Sequence, residues 1–422
     1  MSIFKSPRIK KIQKITLTFL IIAGIINYLD RSALSIANSE ISGDLGLTKI
    51  QMGYLLSAFS LSYAFAQLPI GVILDKIGSR VTLGAGLLFW SIAQACCGLV
   101  HSFQTFFICR LILGIGEAPQ FPAGAKSIGE WFNIKERGRP MGIFNSSSSI
   151  GPALAPPILT VLMVSFGWRW MFIILGILGV LAAIGWLAMY KNRDQVNLTA
   201  EENQSLDEGS PKGKAGKATL KESVGLLSHS TTWGIIIGFM GVVYMVWLYL
   251  TWLPAYLEHE YGLSITKTGF VVMIPYLFAI AGTIVAGFVA DALAKRGYSI
   301  IKSRKLLAAT SLIMAGLFTI PAAYSSDVTM AIIFICASQF CLTFASGSAW
   351  ILVTTVIASR QISSLGGLQN FGGYLAGSFA PIITGYIAQN TGSFKFALLI
   401  SACVAFISAF AYIGLVRKPI GE

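Results

Sequence analysis

The sequence predicts an all-α membrane protein: twelve transmembrane helices in two six-helix bundles, with both termini in the cytoplasm. Three observations carry that prediction. Apolar runs of about 20 residues, the length that crosses a bilayer, recur from one end of the chain to the other. Lys and Arg gather on one side of the spans so defined. A short loop sequence also recurs about half a chain later.

Composition agrees with this class. Of 422 residues, 55% are hydrophobic and 12% charged, whereas a soluble protein carries about 25% charge. The alternating ten-residue segments of a transmembrane barrel are missing. The net charge of +13 raises nucleic acid as a partner, but its distribution argues against that. Lys5, Arg8, Lys10, Lys11 and Lys14 crowd the amino-terminal tail, and Lys295, Arg296, Lys302, Arg304 and Lys305 crowd one loop. Lys49, Arg169, Lys267 and Lys395 are left for the opposite face. This is the positive-inside asymmetry of a cell-membrane protein.

In chain order, the first half gives spans at about 15–36, 50–72, 81–101, 103–125, 140–163 and 169–190. The first is too long for a signal-peptide core and holds Asp30 and Arg31, so it reads as a retained helix. Residues 191–230 are polar, charged and rich in Gly, Ser and Pro, as expected of a partly helical, partly disordered cytoplasmic linker. The second half gives spans at about 231–254, 267–290, 304–323, 326–349, 361–387 and 393–416. The expected domains are therefore 1–190, the linker 191–230, and 231–422. The six cysteines fall inside apolar spans without disulfide or metal spacing, and no metal or cofactor is expected.

After the second span comes Gly71-Val72-Ile73-Leu74-Asp75-Lys76-Ile77-Gly78-Ser79-Arg80. After the eighth comes Gly287-Phe288-Val289-Ala290-Asp291, an offset of 287 − 71 = 216 residues. Two copies of a six-helix unit related by an axis along the membrane normal are what transporters use for alternating access. Glycine lets neighbouring helices approach, and an aspartate at a short loop can meet a helix terminus or a base. Gly71, Asp75, Lys76, Arg80 and Asp291 thus read either as a conformational latch or as plain solvated turns.

The charges within the spans point to chemistry. Arg110 and Glu117 stand seven residues apart in the fourth span, about 700° of rotation and so on one helix face. A charge at mid-bilayer costs about 3 kcal/mol on insertion scales and should not face lipid unpaired. Either the pair is structural, or the helix lines an aqueous cavity with a base for an anion and an acid for a proton. Asp30 falls about five residues past the midpoint of the first span, roughly 7 Å toward the outside. Arg110 also falls in the outer half and Glu117 in the inner half. The spacing therefore predicts an Asp30–Arg110 pair, with Glu117 deeper and without a basic neighbour in its own helix turn. Ionised, Asp30, Glu117, Arg31 and Arg110 sum to zero charge. Protonating the two acids leaves two guanidiniums, whose planar forks grip a carboxylate.

The Gly71-to-Arg80 loop resembles the hallmark loop of the major facilitator superfamily. Asn27-Tyr28-Leu29-Asp30-Arg31, the run from Gly114 to Pro122, Trp131-Phe132 and Glu136-Arg137-Gly138-Arg139 together resemble its anion:cation symporter family, which includes galactonate, glucarate and hexuronate carriers. The resemblance implies proton-coupled uptake of a small organic anion by a monomer in lipid. It implies Asp30 and Glu117 as the proton-coupling acids and Arg31 and Arg110 as the anion-binding arginines. Tyr28 and Tyr63 match cavity tyrosines, and Trp350 and Asn370 match sugar-acid contacts. Asn370 also shares a face with Tyr374 amid glycines, a pattern that fits helix packing equally well.

Two departures bear on substrate. The fifth span reads Asn145-Ser146-Ser147-Ser148-Ser149 where galactonate carriers tend to have a glutamine; Ser148 is the candidate contact. Gly347-Ser348-Ala349 precedes Trp350 with fewer hydroxyls than that subgroup shows. Fewer polar groups suit a less hydroxylated anion such as an aromatic acid, though the serines can compensate for a sugar acid. The alternative is a proton-driven drug exporter, hinted at by Gly142, Gly151-Pro152 and Ala155-Pro156-Pro157, a partial antiporter motif. No phosphate-binding loop or nucleophile triad indicates catalysis.

Overall fold

The computed structural model describes residues 6–133, 136–207, 225–295, 300–357 and 361–420. Among these residues the regular elements are helical throughout. They run α1 (Pro7–Ile36), α2 (Asn38–Leu45), α3 (Lys49–Cys97), α4 (Phe103–Glu117), α5 (Gln120–Trp131), α6 (Gly138–Met189), α7 (Ala200–Asp207), α8 (Ser230–Tyr261), α9 (Ile265–Lys295), α10 (Ile300–Tyr324), α11 (Val328–Thr355), α12 (Ile362–Thr391) and α13 (Lys395–Leu415).

Twelve spans follow from these helices. Eight stretches are long and apolar enough to cross a membrane among the described residues, and α3 and α6 each hold two spans. The chain turns inside α3 at Gly78 (φ 80°, ψ 168°) and inside α6 at Gly167 (φ 81°, ψ 162°). That backbone region is essentially reserved for glycine. The fourth span is broken into α4 and α5 around Pro119, whose ring removes a backbone donor and disfavours helix in the residue before it. The glycine-rich α12 makes the eleventh span.

The chain clusters into two compact units, residues 1–33 with 61–214, and residues 34–60 with 215–422. In the first unit, Trp90, Trp131, Trp186, Phe106 and Tyr190 are fully buried, and Trp186 stacks on Tyr190 with centroids 3.9 Å apart. In the second unit α8 is the central helix, with 83% of its apolar window buried, and it packs on α12 and α13. A chain of hydroxyls ties it in: Tyr249 lies 2.9 Å from Thr319 and donates to Ser338 at 3.3 Å. Ser35 and the backbone N–H of Lys49 belong to this unit too, donating to Thr251 O (2.8 Å) and Gln389 Oε1 (3.0 Å).

The first part of the polar linker is ordered. Asn192 forms a capping box with Gln195, and Thr199 and Glu202 exchange a second reciprocal pair of hydrogen bonds, the S/T-x-x-E pattern that starts a helix. Arg193 holds Asp207 with two bonds of 2.7 and 2.8 Å. These bonds keep the Asp207 carboxyl below its usual range. Asn133 donates to Ser205 O at 2.7 Å and Trp131 to Lys191 O at 3.1 Å, fastening this stretch to the end of α5. Residues 208–224 lie outside the described residues.

Candidate functional site

The charged residues of the first and fourth spans converge inside the first unit. Glu117 is the last residue of α4 and Asn27, Asp30 and Arg31 face it from α1; all four are buried. Arg31 Nε and Asn27 Nδ2 both donate to the same oxygen, Glu117 Oε2, each at 2.8 Å. The i, i+4 spacing of Asn27 and Arg31 puts both donors on one face of α1. The Arg31 guanidinium is also flanked by rings, 4.8 Å from the centroid of Tyr63 and 5.2 Å from that of Tyr28.

Arg110 is buried close enough to Asp30, Glu117 and Arg31 for each to act on its charge. Asp30 is fully buried among Glu117, Arg110, Arg31 and the Trp90 indole. Among the described residues neither of its oxygens accepts a hydrogen bond of good geometry, and Glu117 Oε1 is in the same condition. A buried carboxylate oxygen without a donor calls for a proton or an ordered water. Trp90 reaches this cluster because α3 and α4 touch at Gly116, where a Cβ would fall 2.7–3.0 Å from Trp90 backbone and Cβ atoms.

The spacing predicts an Asp30–Arg110 pair. The hydrogen-bonded ion pair among the four is Arg31–Glu117, while Asp30 and Arg110 act on each other through their charges. The fourth span continues through the break to Trp131, so its midpoint is residue 117, not one nearer Gly114. Glu117 is thereby raised to a depth that Arg31 can reach. Asn27 and Trp90 were not among the candidates. Asn27 carries a signal, an amide one turn before an arginine inside an apolar span; Trp90 carries none.

The remaining candidates are placed as follows. Ser148 is half-buried and its hydroxyl donates to Asn145 O of its own helix at 2.7 Å. In the second unit, Trp350 is 43% exposed and meets Phe239 edge-on at 5.9 Å. Asn370 is half-buried one turn before Tyr374, which packs against Trp247 at 6.1 Å.

The latch candidates of the first unit lie in α3 before and after the Gly78 turn. Gly71, Asp75 and Lys76 are exposed. Lys126 donates to Leu74 O at 2.7 Å and reaches Asp75 at 3.5 Å; such a solvated pair contributes about 0–1 kcal/mol. Arg80 does more, clamping Leu187 O with Nε at 3.0 Å and Nη2 at 2.5 Å. Its backbone N–H donates to Asn192 Oδ1 at 2.9 Å. Asp75, Lys76, Lys126, Glu130, Asn192 and Arg193 line a polar cleft there. Asp291 lies in α9, and its side chain is outside the described residues.

The two glycine turns give a paired prediction. Alanine at either costs about 1–3 kcal/mol of backbone strain. At Gly78 the new Cβ also meets the Asn192 side chain, whereas at Gly167 nothing lies within 4 Å. Gly78→Ala is therefore expected to lower Tm in detergent more than Gly167→Ala. Equal shifts would mean that Asn192 simply moves aside.

Comparison with known proteins follows the same lines. Residues 20–381 match the family model of the Major Facilitator Superfamily. The chain is 47% identical over 418 residues to the probable L-galactonate transporter of Escherichia coli strain K12, covering 99% of this chain and 92% of that one. It is 32% identical to the D-galactonate transporter of Escherichia coli O6:H1 strain CFT073, covering 95% of each. In fold it resembles the crystal structure of a bacterial homologue of the human lysosomal transporter Spinster, inward-facing and unoccupied, with a TM-score of 0.82, 18% identity, and 99% and 98% of the two chains covered. The chain therefore belongs to the major facilitator superfamily, among its anion:cation-symporter-like members, and is a multi-pass membrane transporter.

Proposed function

We propose that the protein takes up a sugar acid together with protons, by alternating access. Arg31 and Arg110 receive the carboxylate, and Asp30 and Glu117 carry the protons. The observation that supports this most is the buried Arg31–Glu117 contact of 2.8 Å. A guanidinium held by an internal carboxylate must be released before it grips an external one. Protonating Glu117 removes its charge and releases the arginine, so proton and anion enter the cycle together. Two buried carboxyls with open oxygens beside two arginines suit that exchange.

The relatives at 47% and 32% identity are named as galactonate transporters, which puts a sugar acid ahead of an aromatic acid. The serine run is compatible with this. Ser146, Ser147 and Ser148 each donate to a carbonyl one turn back, and a hydroxyl that donates still has lone pairs to accept from a sugar hydroxyl.

The test is uptake of radiolabelled L-galactonate into proteoliposomes holding the purified protein. An inward proton gradient is expected to drive accumulation above the external concentration, and a protonophore to collapse it. Accumulation indifferent to the gradient would refute the coupling. The exporter reading predicts the opposite sign, with the gradient driving labelled solute out of preloaded vesicles.

A further inference from the structure

We infer that Asn27 is a positioning residue for the proton carrier: it holds Glu117 by Oε2 in both protonation states and leaves Oε1 to take the proton. This rests on the reading of Glu117 as a proton carrier and adds to it a residue and an atom.

The argument starts from the oxygens. Each carboxylate oxygen has two lone-pair sites. On Oε2 both are engaged, one by Arg31 Nε and one by Asn27 Nδ2. Oε1 is buried and accepts no hydrogen bond among the described residues. An incoming proton therefore forms its O–H bond at Oε1, and the carboxyl becomes neutral with Oε2 as its carbonyl oxygen.

The two donors then respond differently. The Arg31 bond is charge-assisted and loses most of its strength when Glu117 is neutralised. Arg31 keeps the Tyr28 and Tyr63 rings as cation–π partners and can swing to a substrate carboxylate. The Asn27 amide is neutral, so its bond weakens when Glu117 takes a proton but persists as an ordinary bond to the carbonyl oxygen. It keeps Glu117 oriented while Arg31 is away, ready to recapture the arginine once the proton leaves.

Asn27 is not a packing amide that merely satisfies itself. It is fully buried, its Nδ2 is spent on Glu117, and its own Oδ1 accepts nothing among the described residues. An unpaired buried carbonyl is a cost that an apolar side chain of similar size would avoid. The charges acting on Glu117 are Asp30 and Arg31 from α1 and Arg110 from its own helix; α3 brings the uncharged Trp90 beside Asp30. Asn27 is thus the neutral donor in a group of charges.

The test uses the full-length protein in proteoliposomes, with L-galactonate as probe, and compares Asn27→Leu, Asn27→Ser and Glu117→Gln. In Asn27→Leu, gradient-driven uptake is expected to fall about tenfold more than counterflow, the effect of one hydrogen bond to a charged group. The pH of half-maximal uptake is expected to move about one unit to the alkaline side, because a donor that favoured the ionised carboxyl is gone. Asn27→Ser, which keeps a donor, is expected to recover most of both. An unshifted pH midpoint with uptake and counterflow lowered equally would overturn the inference, since a merely structural role does just that. If Asn27→Leu fails to fold, Asn27→Ala against Asn27→Ser makes the same comparison at equal shape. Glu117→Gln separates the two claims. Gradient-driven uptake surviving in Glu117→Gln would sink the proton-carrier reading, whereas its loss there beside wild-type behaviour in Asn27→Leu would sink only the role of Asn27.

Discussion

Glu117→Gln is expected to abolish gradient-driven accumulation of L-galactonate while leaving exchange of internal for external L-galactonate measurable. Glutamine has the shape of the protonated acid and cannot ionise. Asn27 can still donate to its carbonyl oxygen, but the charge that recaptures Arg31 is missing. Loaded carriers can then cross and return loaded, which is exchange. The return of the empty carrier, which needs a carboxylate to neutralise the arginine in the membrane interior, is blocked. Net uptake should fall to the level of protein-free vesicles. Loss of exchange to the same extent, with the protein folded, would instead make Glu117 part of the substrate's own binding.

The second large effect belongs to Arg31. In Arg31→Ala the substrate loses the planar fork that binds a carboxylate through two charge-assisted hydrogen bonds, each worth about 1.5–3 kcal/mol. Apparent affinity for L-galactonate should fall about 100-fold or more. Arg31→Lys keeps the charge without the fork and should lie between. Stability offers a readout independent of transport. Removing one partner of a buried pair costs about 3–5 kcal/mol because the other charge is left uncompensated. Arg31→Ala should therefore lower Tm markedly, and the double variant Arg31→Ala/Glu117→Gln should recover part of the loss, since neighbours in one network are not additive. Additive shifts would show that the pair contributes nothing as a pair.

The spans were readable because a bilayer imposes their length and composition, and the four charges stood out because lipid forbids them. Their partners were not readable. Depth counted from span midpoints requires the true ends of a span, and the fourth was ended at 125, before the charges of Lys126 and Glu130, whereas α5 runs on to Trp131. The early end left Glu117 off the midpoint of its span, and the spacing did not show that Asn27 and Arg31 meet Glu117. The helical part expected of the linker is α7, but the bonds that order residues 191–207 were hidden for another reason. Polar composition suggests a loose linker, but Asn192 and Thr199 each begin a capping pattern, and such local bonds outweigh composition over a few residues.

The account stands on one event, a proton and a carboxylate crossing in the same direction. A pH-sensitive dye inside proteoliposomes reports it directly when L-galactonate is added outside with no gradient imposed. Solute entry should be accompanied by acidification of the lumen, and Glu117→Gln should abolish it. Entry of labelled L-galactonate with a constant or rising lumenal pH would contradict proton symport.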